Sequence, residues 1–298
     1  MDYRIVWASQ LMAGHSERNS LKEIKLDKLQ ILSELKAIWR ESFRDSEEYI
    51  DFFLERRFIA DNTILAISDQ LIIGMIYLLP VTIHTEQGEL MAVFGYALGV
   101  RKAFRGQGIG KSIFDLVCRY CDEKHLSFFF FPANAKLSTY YKSLGLKEVS
   151  NIRKCVFRYS WKHPIRDIRI TDITAKEYTH LRNNFFENSI YAKWDEAAIG
   201  YALKENRFCG GFCIKLEFRN MEYAILGCVI GDMLIIKEAM IPDQLILELF
   251  PRIAAYFGTR AITAYLPEDS NCEGSVLPWI MGYRADILKK GYCSLLLN

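Results

Sequence analysis

The stretch Arg105-Gly106-Gln107-Gly108-Ile109-Gly110 restricts the fold of this 298-residue chain more than any other. An apolar segment, Ala92-Val93-Phe94-Gly95-Tyr96-Ala97-Leu98-Gly99-Val100, runs into it and an amphipathic helical pattern runs out. That order predicts a strand, a tight turn and a helix. Glycines that open a helix leave backbone N–H groups bare, and with the positive end of the helix dipole these make a seat for phosphate. Two familiar phosphate loops fail on spacing. A Walker-type loop needs a glycine where Arg105 stands, and the dinucleotide fingerprint ends on Lys111 when counted from Gly106 and on Ile113 when counted from Gly108.

The remaining pattern, Arg105-x-x-Gly108-x-Gly110, resembles the pyrophosphate-binding signature of the GNAT superfamily of acetyl-coenzyme A dependent N-acetyltransferases. A second half-motif lies downstream. After the apolar run Phe128-Phe129-Phe130-Phe131-Pro132, Asn134 precedes Tyr141 by seven residues and Tyr141 precedes Gly145 by four, as in that family. The resemblance covers roughly Thr63 to Tyr159. It implies a GNAT-like α/β fold with a mixed, mostly antiparallel central sheet flanked by helices.

The periodicities give the same order. Leu32, Leu35, Trp39 and Phe43 recur at helical intervals, and Asp45 with Glu48 resembles a capping box opening a second helix through about Phe58. Strands are expected over Thr63 to Ser68, Leu71 to His84 and Leu90 to Val100. In the helix after the glycines, Ile109, Ile113, Leu116, Val117 and Tyr120 share one face.

Length alone suggests about two domains, expected here as residues 1–162 and 163–298, with Trp161-Lys162-His163-Pro164 interrupting the first pattern. Helices are expected over Glu177 to Glu187, Asp195 to Glu205 and Gln244 to Phe257. Strands are expected over Phe212 to Arg219, Tyr223 to Ile230, Met233 to Met240 and Ala261 to Leu266. Ile236 to Met240 then falls where Tyr96 to Val100 falls, but only Ile241-Pro242-Asp243 precedes the helix. The second half reads as a degenerate copy of the same fold without the glycine loop.

A net charge of +2 gives no general attraction to nucleic acid, and the longest apolar run, Leu71 to Ile83, contains Pro80 and falls short of the roughly 20 residues of a membrane span. With no secretory pattern at the N-terminus, a cytosolic location is expected. Cys118 and Cys121 form a C-x-x-C on the helix after the glycines, but no second pair stands at zinc-like spacing, so these cysteines read as structural and no metal is expected.

The resemblance also implies chemistry: an acetyl group passing from acetyl-coenzyme A to a primary amine by direct attack in a ternary complex. Backbone groups from Gly106, Gln107, Gly108, Ile109, Gly110, Lys111 and Ser112 would hold the pyrophosphate, with Arg105 flanking it. Leu98, Gly99 and Val100 would hydrogen-bond the pantetheine arm on a strand that splays from its neighbour. Asn134 either contacts that arm or caps the following helix. Tyr141 is the candidate general acid, its alternative being a core aromatic, and adjacent Tyr140 competes for the assignment. The base is less determined. His84 and Glu89 are candidates, each also readable as a surface residue. In the enhanced-intracellular-survival branch of the superfamily the C-terminal carboxylate enters the active site, although that branch carries a third domain not present here. A small-molecule or peptide amine is the expected acceptor, and a homo-oligomer is compatible with the pattern. The alternative class is an acyl-coenzyme A binding sensor or scaffold without turnover.

Overall fold

The structure, a computed structural model, describes residues 2–13, 25–159 and 167–294, so the Trp161–Pro164 interruption lies outside the described residues. The chain divides into two compact units. The first comprises Met1–Pro80, Met91–Lys147 and Gly282–Ala285, and the second Val81–Leu90, Glu148–Met281 and Asp286–Asn298.

The first unit runs β1 (Arg4–Trp7), α1 (Ala8–Ala13), α2 (Lys28–Ser42), α3 (Glu47–Arg57), β2 (Thr63–Ser68), β3 (Leu71–Thr85), β4 (Gly88–Val100), α4 (Ile109–Lys124), β5 (Ser127–Phe130) and α5 (Ala135–Ser143), with the outer part of the β3–β4 hairpin counted in the second unit. Its strands lie in the order β1-β2-β3-β4-β5. β1 and β2 pair antiparallel, as do β2 and β3, while β4 and β5 pair in parallel because α4 crosses between them. A capping box between Asp27 and Gln30 starts α2, which buries Ile31, Leu35, Ile38 and Trp39.

The expected capping box at Asp45 and Glu48 is not formed. Ser46 is the N-cap of α3, accepting from the Tyr49 N–H, and the Asp45 carboxylate takes the Trp39 indole N–H at 2.7 Å. A buried indole donor needs an acceptor, and Asp45 is thereby committed. The stripe of α4 is also rotated from expectation. Phe114 and Cys121 are buried with Ile109, Ile113 and Val117, while Leu116 and Tyr120 lie half-buried at its edges. Phe114 is drawn in by Phe128 and Phe130 of β5, and Tyr120 meets Trp7 of β1 edge-on at 4.9 Å.

The second unit runs β6 (Lys147–Arg158, counted from Glu148), β7 (Arg169–Asp172), α6 (Ala175–Phe185), β8 (Ile190–Lys193), α7 (Glu196–Phe208), β9 (Gly211–Phe218), β10 (Met221–Ile230), β11 (Met233–Ala239), α8 (Asp243–Tyr256), β12 (Ala261–Leu266), β13 (Ser275–Tyr283, to Met281) and β14 (Gly291–Tyr292). β9, β10 and β11 form an antiparallel meander, and β11 pairs in parallel with β12 across α8. That is the β4–α4–β5 arrangement repeated. Apolar side chains on the meander, including Leu216, Ile225, Leu234 and Ile236, pack against Leu249, Phe250 and Ile253 of α8. Beside them lies a charged core. Arg182 Nε donates to the Glu238 carboxylate at 3.2 Å, the Tyr178 hydroxyl donates to the same carboxylate at 2.7 Å, and Arg182 Nη1 donates to the Ala192 carbonyl at 2.8 Å. Both charged side chains are fully buried, so each depends on the other.

Candidate active site

β4 and β5 pair only from Ala92 to Phe94 and from Ser127 to Phe129. Past Phe94 the register ends, and Ala97 takes the left-handed conformation at φ 51 within β4. An alanine in that region costs about 1–2 kcal/mol, so neighbouring packing must hold it there. The strained residue lies just past the last registered β4–β5 pair, and Leu98, Gly99 and Val100 follow it to the end of β4. Gly99 is needed for closeness, since a Cβ on it would stand 3.0 Å from both Ile38 Cγ2 and Ser42 Oγ of α2.

The glycine turn follows. Gly106 and Gly108 have φ of +77 and +80, and a Cβ built on either would meet no atom within 4 Å. Glycine is required by the backbone conformation and not by crowding, and the turn is open. Gly108 is the N-cap of α4, and the first main-chain bond runs from the Ser112 N–H to the Gly108 carbonyl. The N–H groups of Ile109, Gly110 and Lys111 therefore have no acceptor within the helix. No acidic residue occupies the first turn to quench the dipole. Ile109 is buried, Gln107 Nε2 donates to the Ala103 carbonyl at 3.4 Å, Lys111 pairs with Asp115 at 2.8 Å, and Ser112 Oγ meets the Tyr3 hydroxyl at 2.8 Å.

Arg105 is turned onto main chain. Its Nε donates to the Val100 carbonyl at 2.9 Å, and its Nη2 donates to the Glu41 carbonyl at 2.6 Å and to Ser42 Oγ at 3.3 Å. It ties the end of β4 to the end of α2. Asn134 is the N-cap of α5, its Oδ1 accepting from the Leu137 N–H at 3.0 Å. Tyr141 is 7% exposed and set edge-on to Phe130 at 4.7 Å and to Phe114 at 5.2 Å. Burial first, then neighbouring Tyr140, pushes its hydroxyl up to about 12. Tyr140 is 40% exposed, and its hydroxyl comes within 3.7 Å of a Cβ built on Gly110. Adjacent helix positions thus send one phenol inward and the other toward the glycine turn.

The two candidate bases have partners in the second unit: His84 Nε2 meets the Glu187 carbonyl at 3.0 Å, and Glu89 pairs with Lys193. The final residues Leu295 to Asn298 lie outside the described residues. Acidic groups on α2 and α3 are largely committed, Glu41 to Arg101, Glu47 to Arg40 and Asp51 to Lys36. Burial pushes the thiols of Cys118 and Cys121 up to about 11 and about 12, which keeps both protonated and unreactive at neutral pH.

In the second unit the place of the glycine turn is taken by a carboxylate. α8 begins at Asp243 after an N-cap at Pro242, and Asp243 accepts from Ser270 Oγ at 2.9 Å and from the Asn271 N–H. A carboxylate there satisfies the helix dipole as a phosphate would. Sequence reasoning missed Ala97, whose left-handed backbone leaves no signature in a residue type, and Tyr3, which lies just before the four-residue β1. It also missed the hydroxyl contact between Tyr49 and Tyr96 at 2.7 Å.

Residues 23–148 match the profile of a family described as Acetyltransferase (GNAT) domain. Across 96% of this chain and 72% of the other, the fold is similar to a GCN5-related N-acetyltransferase from Kribbella flavida, with a TM-score of 0.67 at 14% identity. A GCN5-related N-acetyltransferase from Anabaena variabilis aligns over 97% of this chain and 74% of its own, with a TM-score of 0.67 at 13% identity. Eis1 from Mycobacterium abscessus aligns over 96% and 74%, with a TM-score of 0.64 at 8% identity. No curated protein matches the sequence.

Proposed function

With a GNAT acetyltransferase domain over residues 23–148, a sign of an acyltransferase, we propose that the chain moves an acetyl group from acetyl-coenzyme A to a primary amine, by direct attack in a ternary complex. The observation that carries the reading is the open glycine turn at Gly106 and Gly108, with the bare N–H groups of Ile109, Gly110 and Lys111 behind it. These would hold the pyrophosphate. Main-chain groups of Leu98, Gly99 and Val100, beyond the last registered β4–β5 pair, would receive the pantetheine arm. Arg105 acts by holding the end of β4 against α2, and Asn134 by fixing the start of α5.

Tyr141 donates a proton to the departing thiolate. With its hydroxyl pushed up to about 12, it stays protonated through the neutral range, as a donor must, and its hydrogen bond gains strength as charge develops on sulfur. A free-thiol release assay with acetyl-coenzyme A and a panel of polyamines, aminoglycosides, amino acids and peptides tests the reading. Thiol release that requires a particular amine supports it. Tight binding of acetyl-coenzyme A with no release for any amine contradicts it and favours a sensor.

A further inference from the structure

In the second unit β6 has a neighbour on each edge, β12 on one and β13 on the other, but over different lengths. β12 pairs with it from Arg153 to Arg158. β13 begins at Ser275, and a Cβ built on Gly274, just before it, would stand 2.6 Å from the Lys154 carbonyl oxygen. From there β13 runs back along β6, since Trp279 packs against the cluster that holds Ile152 and meets the ring of Tyr265, the β12 partner of Lys154, at 5.4 Å. Among the described residues, Val156 to Arg158 therefore have a strand on one side only. Main-chain groups alternate along a strand, so Val156 and Arg158 turn theirs to the same side as the Lys154 carbonyl, which is the open one. Beside this edge lies a cavity of about 780 Å³ whose lining includes Val156, Phe157 and Leu247. Leu247 is 73% exposed and Val156 52%, while Phe157 is set perpendicular to Phe250 of the core at 5.2 Å. The charges in the lining are two carboxylates, Asp243 and Glu273, against one ammonium, Lys154, an excess of one negative charge, and Arg158 lies outside it.

We propose that this edge is a docking site for an extended peptide carrying a basic side chain, which adds as a strand beside Val156–Arg158 where β13 stops. It goes beyond the acetyl-transfer reading above and does not depend on it. Open main-chain N–H and C=O groups in a row fit another extended backbone. The apolar surface of Val156, Phe157 and Leu247 suits an apolar residue of that strand, and the carboxylates of Glu273 and Asp243 suit a lysine or arginine. Asp243 spends two acceptor positions on Ser270 Oγ and the Asn271 N–H, and a carboxylate offers about four, so it has capacity left for an incoming donor. The same carboxylate at the start of α8 repels an acidic ligand from this end of the groove. The open edge is short, which suits recognition of a peptide and limits pairing between whole sheets.

The test measures binding of end-labelled peptides to the full chain by fluorescence anisotropy, without acetyl-coenzyme A. The probe is a blocked hexapeptide alternating valine and lysine. It is compared with the same peptide N-methylated at alternate amides, which cannot pair along an edge, and with one alternating valine and glutamate. Wild type should bind the lysine peptide saturably with a Kd below about 1 mM, and the other two at least about tenfold more weakly. Leu247→Lys and Glu273→Lys change exposed side chains, so folding should be retained by circular dichroism. Each should cost about fivefold or more in affinity for the lysine peptide, which also separates this edge from any other place where a lysine could bind. No saturable binding below that limit, binding that survives the methyl groups, equal binding of the glutamate peptide, or full affinity in both variants overturns the inference. None of these outcomes bears on acetyl transfer, which the thiol-release assay reads separately.

Discussion

Gly95 of β4 lies so close to the ring of Phe128, the β5 partner of Val93, that a single methyl on the glycine would stand 2.6 Å from that ring. The ring has no room to retreat, because Phe114 and Phe130 flank it. The substitution Gly95→Ala is therefore expected to destabilise the protein by about 1–3 kcal/mol, as overpacking does. Combining it with Phe128→Leu should recover part of the loss, which a double-mutant cycle by urea unfolding measures.

Tyr141 is predicted to matter for rate and not for cofactor affinity. Tyr141→Phe keeps the edge-on contacts with Phe114 and Phe130 and removes only the hydroxyl. Turnover should fall by roughly 10²-fold or more, the range of a positioned acid, with acetyl-coenzyme A binding unchanged by calorimetry. Tyr140→Phe should retain most of the turnover. A larger loss in the Tyr140 variant would reverse the assignment of the acid.

Breaking the charged core of the second unit should be costly. Arg182→Met leaves the buried Glu238 carboxyl without its cation, and the expected loss is about 3–5 kcal/mol. The pair Arg182→Met with Glu238→Leu should be closer to wild type than either single change, since neither charge is then stranded. Thermal unfolding of the four proteins gives the comparison.

Acid should weaken the start of α6 through Glu177. Its carboxyl is held down to about 2 by the Lys215 ammonium first, then by the backbone and hydroxyl of Thr174. A lowered value means that the stabilisation is fully present above the ordinary carboxylate value of 4.5 and disappears as pH falls toward 2. The difference in Tm between wild type and Glu177→Gln should shrink across that window. A constant difference from pH 6 to pH 2 would count against it.

The sequence shows the glycine turn, the helix after it and the strands from β2 to β4 and from β9 to β12, because these rest on periodicity and on residue types with fixed backbone meaning. Thr63 to Ser68 and Ala261 to Leu266 stand as read. What stayed hidden depends on tertiary packing. Ala97 is left-handed only because its surroundings hold it so, and β13 carries an exposed, proline-containing run that does not alternate. The facing of Tyr96 and Tyr49 joins residues 47 apart, which no local pattern encodes. The Asp45 capping box was misread because the sequence does not show that Trp39 takes that carboxylate.

The central claim is that the turn at Gly108 grips coenzyme A through main-chain amides, and a calorimetric titration of acetyl-coenzyme A into wild type and Gly108→Val tests it most directly. Valine cannot comfortably hold the φ of +80 found there. The account predicts saturable one-to-one binding by the wild type and a loss of at least about tenfold in affinity for the variant, with folding retained by circular dichroism. Equal affinity in the two proteins, or no binding by the wild type, would contradict it.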